Sequence, residues 1–257
     1  MLKITTKKTN SMNLSNGQNP TELGKLAGKE GSTLIREAIQ KQGHANIILA
    51  TGTSQFETLN QLLAEKDIDW SHVTIFHLDE YLGLPITHPA SFRNYLMVRF
   101  FNHLPQLKAY FLIDGEVDPT AECARLGDLI SKHPIDVAFV GIGENGHLAF
   151  NDPPADFDTE QPYIVVDLDH DCRMQQFGEG WFPDLEAVPK QAISMSIRQI
   201  MKSKAIICSV PDTRKAMAIK NCLEGPITPD HPASILQSHP HYQLFLDEGS
   251  SSLLSAH

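Results

Sequence analysis

The chain has 257 residues, and its 31 acidic and 21 basic side chains give a formal net charge of −10 at neutral pH. Hydrophobic residues make up 41% and charged residues 20%, which excludes an intrinsically disordered chain and allows a sizeable core. The acidic excess argues against nucleic acid or an anionic membrane surface as the main partner, and no apolar run reaches the roughly 18 residues of a membrane helix.

The chain begins with a polar segment, residues 1–20, that lacks the apolar stretch of a signal peptide. We predict a polar extension there and a single α/β domain over residues 21–257. No Cys-x-x-Cys pair occurs among the four cysteines, which favours reduced thiols and a cytoplasmic protein. The cysteines are Cys123, Cys172, Cys208 and Cys222.

Short apolar runs alternate with amphipathic stretches along the rest of the chain. The runs predict strands over residues 45–51, 73–78, 110–113, 135–140, 192–196, 204–210 and 242–246. The stretches predict helices over residues 22–41, 54–65, 91–104, 120–132 and 213–223. Continuous apolar runs are typical of strands covered on both faces. We therefore predict an α/β fold with a single doubly wound, mostly parallel sheet and helices on both faces, in which ligands bind at the carboxyl ends of the strands.

The first of these strand ends carries Thr51, Gly52, Thr53 and Ser54, followed directly by a helix. Backbone N–H groups and hydroxyls in such a turn can converge on an anion such as a phosphate. The alternative is a tight strand–helix turn in which Ser54 caps the helix.

The second strand ends in Asp79 and Glu80. A carboxylate at this place becomes a general base when burial or a neighbouring charge raises its pKa toward neutral pH. The alternative is an acidic strand end that only caps a helix.

A glycine-rich loop follows the strand at 135–140. Residues 141–147 contain Gly-x-Gly-x-x-Gly, but Pro153 and Pro154 would break the helix that a dinucleotide site needs, so we expect no such cofactor. His147 instead has Asn145 two residues before it and Asp152 five residues after it. These groups could fix the tautomer of an acid–base histidine; the alternative is a buried structural histidine in a glycine turn.

Basic side chains occur at two further places. Arg173 follows an acidic stretch, and Arg214 and Lys215 open the helix after the strand at 204–210. A cation at a helix N-terminus is unfavourable unless an anionic ligand lies nearby, although solvated surface charges are equally compatible. Pro240 separates His239 from His241 and no third ligand is evident, so we expect no metal site.

Taken together, six segments resemble the glucosamine-6-phosphate deaminase/isomerase family, which is related to the 6-phosphogluconolactonases. They are LATGTS (49–54), HLDEYLGLP (77–85), HPASFRNY (88–95), GIGENGHLAFNDP (141–153), HDCR (170–173) and RKA (214–216). The continuation LAFNDP after His147 resembles the deaminase branch rather than the lactonases. The resemblance covers most of residues 45–216.

The resemblance implies a Rossmann-like fold of the sugar-phosphate isomerase type and a reaction without cofactor or metal. Glucosamine 6-phosphate and water would give fructose 6-phosphate and ammonia. Asp79 would carry a proton between C2 and C1, His147 would open the sugar ring, and Asp152 would orient His147. The 6-phosphate would be held by Thr51, Gly52, Thr53, Ser54, Arg173 and Lys215.

Two positions depart from the better-known deaminases, which have aspartate where this chain has Asn145 and glutamate where it has Asp152. Asparagine at the first position resembles relatives that act on galactosamine 6-phosphate. A galactosamine-6-phosphate deaminase, a lactonase-type hydrolase and a non-catalytic sugar-phosphate sensor are therefore the competing functions. Residues 154–190 are expected to form a lid or a surface excursion. The expected partner is a small sugar phosphate, and assembly into a homo-oligomer remains open.

Overall fold

The structure, a computed structural model, describes residues 13–255. Its strands are β1 Asn13–Gly17, β2 Ala45–Leu49, β3 Val73–His77, β4 Asp79–Tyr81, β5 Ala109–Phe111, β6 Val137–Val140, β7 Tyr163–Asp167, β8 Gln191–Met195, β9 Ala205–Val210 and β10 Tyr242–Asp247. Its α-helices are α1 Pro20–Gln42, α2 Phe56–Ala64, α3 Phe92–Arg99, α4 Pro119–Ser131, α5 His170–Gly178, α6 Ile197–Met201 and α7 Ala216–Glu224.

The main sheet has seven strands in the order β1-β10-β9-β6-β2-β3-β5, and every neighbouring pair is parallel. This confirms the predicted parallel α/β sheet. The chain moves outward in one direction from β2 and in the other from β6, so the order reverses between these two strands. In an open parallel sheet, the carboxyl ends at such a reversal form a crevice that can bind a ligand.

Helices cover both faces of this sheet, as predicted. One apolar core contains Leu23 and Ile35 of α1 and Leu59 of α2. The core on the other face contains Leu126 of α4 and Ile219 of α7. Within residues 13–255, no helix has both the length and the apolar character needed to cross a membrane.

A second, antiparallel sheet of three strands, in the order β4-β8-β7, was not predicted. The strand expected at 192–196 belongs to this sheet as β8, and β4 begins one residue after β3 ends. Residues 154–190 are not a simple surface loop, because they contain β7 and α5. Apolar runs indicate that strands exist, but they do not indicate which distant strand each one pairs with.

Part of the expected N-terminal extension belongs to the folded structure. Residues 1–12 lie outside the described range, but Asn13–Gly17 pairs in parallel with β10 as an edge strand. Helix α1 then begins at Pro20, and the Asn19 side chain accepts a hydrogen bond from the Glu22 backbone N–H at 3.0 Å. A polar edge strand carries little of the apolar signal by which buried strands are recognised.

A buried ion pair anchors the segment that follows Asp79. The fully buried Glu80 carboxylate accepts hydrogen bonds from Ser91 Oγ at 2.8 Å and from the Arg93 backbone N–H at 2.9 Å, and Arg93 Nε lies 3.3 Å away. The same guanidinium pairs with Asp114 and Glu116, each at 2.9 Å. Arg93 therefore joins β4 and α3 to the loop after β5.

We predict that Arg93→Ala lowers the free energy of unfolding by roughly 3–5 kcal/mol, because it leaves a buried carboxylate without its partner. Urea denaturation followed by circular dichroism measures this change. The control Arg198→Ala removes an exposed arginine that pairs with Asp158 and Glu160, and should cost no more than about 1 kcal/mol. Equal effects of the two substitutions would contradict the structural role of Arg93.

Candidate active site

A cavity of about 290 Å³ lies at the carboxyl ends of β2 and β6. Several predicted site residues line it: Thr51, Gly52, Thr53, Ser54, Asp79, His147 and Lys215. Further polar lining residues are Gln175, Gln176, Glu179, Asp212 and Arg214. The strand ends that carry these residues are far apart in sequence, so the sheet topology itself assembles the cavity.

Asp79 lies where the two sheets meet, as the first residue of β4, and pairs with Ser194 of β8. Its side chain is buried. Burial raises the pKa of Asp79 to about 8, and the nearby Glu80 and Asp152 carboxylates act in the same direction. A carboxyl group with such a pKa can both take up and release a proton near neutral pH.

His147 lies close to two polar partners on its own loop. Asn145 Oδ1 accepts a hydrogen bond from the His147 backbone N–H at 3.0 Å, and Asp152 Oδ1 lies 3.2 Å from His147 Nδ1. Asn145 Nδ2 in turn donates to Asp152 Oδ1 at 3.2 Å. The structure thus brings together the three residues that the sequence singled out on this loop.

The charge state of Asp152 is set by opposing effects. Burial raises the pKa of Asp152, but the neighbouring His147 ring, the Asp169 backbone N–H and the Asn145 amide outweigh it and hold the pKa below its ordinary value. Asp152 is therefore a carboxylate at neutral pH, and its Oδ1 atom lies close enough to Nδ1 to hold the His147 ring in place.

The glycine loop makes room for the imidazole. A Cβ atom added at Gly143 would meet ring atoms of His147, and the Gly143 backbone N–H donates to the His147 carbonyl at 3.0 Å. After Gly146 the loop continues into a bridge between Leu148 and Asn151 rather than into a helix. The glycines here accommodate a histidine, which is consistent with the rejection of a dinucleotide fingerprint.

The turn after β2 is held from both sides. Gly52 has a left-handed backbone with φ of 94°, and its carbonyl accepts a hydrogen bond from Tyr95 Oη at 2.9 Å. Gln55 Nε2 donates to Ser54 Oγ and to the Ser209 carbonyl, both at 3.1 Å. Ser54 does not cap helix α2, which begins at Phe56 without a side-chain cap. Ser54 instead lines the cavity.

Two cations face the cavity from the turn after β9. Lys215 is buried, and burial lowers its pKa, while Glu144 and Glu179 act in the opposite direction. Glu144 Oε1 lies 3.3 Å from Arg214 Nη1 and 3.7 Å from Lys215 Nζ. A single carboxylate thus lies between two cations, in the kind of position that a phosphate could occupy.

Arg173 does not line the cavity. It lies on α5, where its Nη2 and Nε donate to the carbonyls of Leu185 and Val188 at 2.6 and 3.3 Å. The structure therefore places it behind the cavity wall, where it holds the chain that leads into β8.

Helix α5 instead contributes residues that the sequence analysis did not select. Tyr81 Oη donates to Gln176 Oε1 at 2.7 Å, and the Glu144 backbone N–H donates to Gln175 Oε1 at 2.9 Å. Glu179 follows the helix and accepts from Gln175 Nε2 at 3.2 Å. Residues 172, 175, 176 and 179 share one helical face by their spacing, and this was the available signal.

Among the described residues, one group of donor side chains could hold a metal ion, formed by His147, Asp152 and Cys172. Burial raises the pKa of the Cys172 thiol well above its ordinary value, and the Asp152 and Asp169 carboxylates act in the same direction. His239 has a different role: its Nε2 lies 2.8 Å from the Ser203 carbonyl, inside the fold.

Comparison with known proteins agrees with this geometry. Residues 18–245 match the family described as glucosamine-6-phosphate isomerases/6-phosphogluconolactonase. The chain is 37% identical over 229 residues to the glucosamine-6-phosphate deaminase of Oenococcus oeni, covering 89% of this chain and 94% of that protein. It is 40% identical over 227 residues to the glucosamine-6-phosphate deaminase of Streptococcus pyogenes serotype M49, covering 88% and 94%.

Solved structures give the same relationship. A monomeric glucosamine-6-phosphate deaminase superposes with a TM-score of 0.85 at 32% identity, covering 95% of this chain and 100% of that one. The 6-phosphogluconolactonase of Shewanella baltica OS155 superposes with a TM-score of 0.76 at 18% identity, covering 93% and 98%, and shares the fold. The chain belongs to the glucosamine-6-phosphate isomerase/6-phosphogluconolactonase family.

We predict that Asp79→Asn stabilises the protein in a pH-dependent way. In the unfolded chain Asp79 ionises near 3.8, whereas in the folded protein it ionises near 8. The ionised carboxyl therefore opposes folding, and wild-type stability falls as the pH rises from about 4 to about 8. The uncharged amide lacks this loss, so the variant should gain roughly 2–5 kcal/mol at pH 9, since one pKa unit is worth about 1.4 kcal/mol.

Urea denaturation at pH 5 and pH 9 measures this gain. Asp128→Asn, on the exposed side of α4, is the matched control and should show no pH-dependent difference. A stability difference between wild type and Asp79→Asn that is the same at both pH values would contradict the burial of an ionisable Asp79.

Proposed function

We propose that this protein is a glucosamine-6-phosphate deaminase, which converts glucosamine 6-phosphate and water to fructose 6-phosphate and ammonia. The observation that carries the proposal is a single cavity lined by Asp79, with its pKa raised to about 8, by His147 beside Asp152, and by two cations. The deaminases of Oenococcus oeni and Streptococcus pyogenes, similar over most of their length, support it.

The chemistry needs two proton-transfer groups. His147, oriented by Asp152, moves a proton to the ring oxygen and so opens the sugar to its aldehyde form. The Asp79 carboxylate then takes the proton from C2, and the C–H electron pair forms the C1–C2 double bond. The carbonyl π pair moves to the C1 oxygen, which takes a proton from the ammonium group of the substrate, and an enolamine results. Return of that proton to C1 gives an imine at C2, which water hydrolyses to the ketose and ammonia. Every step is proton transfer or hydrolysis, so the reaction requires neither metal nor redox cofactor.

The phosphate would bind between the turn 51–54 and the cations Arg214 and Lys215. Phosphate oxygens could accept hydrogen bonds from the backbone and hydroxyls of the turn, and could displace Glu144 from the cations. Arg173 could contribute only after leaving the carbonyls of Leu185 and Val188. Since α5 forms part of the cavity wall, we propose that residues 154–190 act as a lid rather than as a surface excursion.

Residues 21–257 would act as one catalytic domain, and a metabolic enzyme of this kind would work in the cytoplasm. The similar deaminase of known structure is monomeric, which supports a monomer here, and a homo-oligomer is the alternative.

Three competing functions follow from the sequence of the site. Asn145 occupies the place of a family aspartate, so galactosamine 6-phosphate is the competing substrate. The lactonase branch of the family makes hydrolysis of a sugar-phosphate lactone the second competing function. Binding of a sugar phosphate without turnover is the third.

We predict that the purified protein releases ammonia from glucosamine 6-phosphate and that Asp79→Asn lowers kcat by at least about 100-fold, since the general base is lost. Ammonia and fructose 6-phosphate are measured together, with Asp128→Asn as the control that keeps wild-type kcat. Galactosamine 6-phosphate and 6-phosphogluconolactone are assayed in parallel. Turnover of galactosamine 6-phosphate alone would replace the proposed function by a galactosamine-6-phosphate deaminase, and turnover of 6-phosphogluconolactone alone would replace it by a lactonase. Tight binding of the sugar phosphates without turnover would indicate a sensor.

We predict that Gly143→Ala lowers kcat by roughly 10- to 100-fold, because the added methyl group displaces the His147 ring and small misplacements of a reacting group are costly. Gly178→Ala is the control, since a Cβ atom there meets no atom within 4 Å. Urea denaturation of both variants separates this effect from a loss of stability. Unchanged kcat in a folded Gly143→Ala protein would argue against a reacting role for His147.

A further inference from the structure

The donor cluster of His147, Asp152 and Cys172 has a composition suited to a soft cation. It provides one imidazole nitrogen, one carboxylate oxygen and one sulfur atom, all within 4.8 Å of one another. Zn²⁺ prefers these donors and binds them in tetrahedral geometry, with metal–ligand distances of about 2.0–2.3 Å. Two ligands of one such ion lie about 3.3–3.6 Å apart, so inward shifts of little more than an ångström would complete the site.

Part of this geometry is already in place. Asp152 Oδ1 lies 3.2 Å from His147 Nδ1, close to the separation of two ligands on one ion. Asp152 Oδ2 accepts the Asp169 backbone N–H at 3.0 Å, and Asn145 Nδ2 donates to Oδ1 at 3.2 Å. These contacts fix the carboxylate in the way that outer partners fix ligands in metal sites.

The cluster is buried, and a polar atom of one donor already faces another. His147 is 8% exposed and Cys172 is 1% exposed. Asp152 Oδ1 faces His147 Nδ1, so a cation that accepts the Nδ1 lone pair would lie between this nitrogen and the carboxylate.

We propose that the cluster formed by His147, Asp152 and Cys172 binds a thiophilic divalent cation, Zn²⁺ or Cd²⁺, and that the bound cation inhibits the enzyme. The cluster shares His147 and Asp152 with the proposed catalytic site, but the bound cation has no part in the proposed reaction, which uses no metal. Inhibition follows because His147 and Asp152 cannot move or orient a proton while they ligate a cation. This second part rests on the proposed function.

The binding step balances in atoms and charge. The Cys172 S–H bond breaks, a sulfur–metal bond forms, and the proton passes to the solvent. His147 binds as the neutral tautomer that carries its proton on Nε2 and supplies the Nδ1 lone pair, while Asp152 supplies a carboxylate oxygen. Thiolate and carboxylate together neutralise the two charges of the cation. Binding therefore releases one proton and tightens as the pH rises.

Access to the cluster comes from the cavity, and selectivity comes from the donor atoms. His147 lines it, so a cation can reach the cluster by the route that a sugar phosphate would take. The hard cations Mg²⁺ and Ca²⁺ prefer oxygen donors and should not compete, because only one of the three donors is oxygen.

Co²⁺ is the probe that tests binding, since a bound thiolate gives a charge-transfer band in the near ultraviolet. We expect wild-type protein to show this band, and Zn²⁺ or Cd²⁺ but not Mg²⁺ to displace Co²⁺ and abolish it. Cys172→Ser should lose the band and weaken Zn²⁺ binding at least tenfold by isothermal titration calorimetry, while ammonia release in the absence of metal stays near the wild-type rate. Cys172→Ala repeats the test if the serine variant folds poorly.

Cys123→Ser is the matched control, because it removes a half-buried thiol on α4 and leaves the cluster intact. It should keep the Co²⁺ band and inhibition by Zn²⁺. Absence of the band from wild type, or a band and inhibition that persist in Cys172→Ser, would overturn the proposal. If the protein binds Co²⁺ through Cys172 but releases no ammonia, the cation site stands and the proposed function fails.

Discussion

The adjacency of β2 and β6 is the constraint from which the site follows. These parallel strands pair through Ile47 with Val137 and Ile48 with Ala138, and the chain departs from them in opposite directions along the sheet. Their carboxyl ends therefore deliver the turn 51–54 and the loop 141–147 to one crevice. A ligand site at this point is a consequence of topology before any side chain is considered.

The second sheet provides the buried position of Asp79. Because β4 follows β3 after a single residue, Asp79 lies where the chain passes from one sheet to the other, and its side chain is buried there. The buried Glu80–Arg93 pair holds the chain just beyond it, at the cost of burying a second carboxylate beside the first. Both burial and the neighbouring charges raise the pKa of Asp79. The Glu80 carboxylate therefore both anchors the chain through Arg93 and contributes to the raised pKa of Asp79.

Charge in the cavity is arranged locally, against the acidic balance of the whole chain. Arg214 and Lys215 line the cavity and contact Glu144, whereas Asp79 lines it as a buried carboxyl group and Asp152 lies behind the lining His147. A ligand with an anionic end and a cationic or neutral reacting end matches this polarity, as an amino-sugar phosphate does. The loop that carries Glu144 also carries Asn145 and His147. A phosphate that displaces Glu144 would therefore also affect the position of the loop that carries His147.

Local patterns along the chain were enough to predict the buried strands of the parallel sheet to within a few residues, the helices on both faces and the loops that carry Asp79, His147 and Lys215. Apolar periodicity and polar residues at strand ends are properties of neighbouring residues, so they can be read without a fold. Contacts between segments far apart in the sequence determined the second sheet and the directions of the side chains on α5. They created the small sheet from β4, β7 and β8, and they turned Arg173 toward the carbonyls of Leu185 and Val188 while Gln176 faced the cavity. The direction of a side chain on α5 depends on what the helix packs against, and that packing partner is far away in sequence.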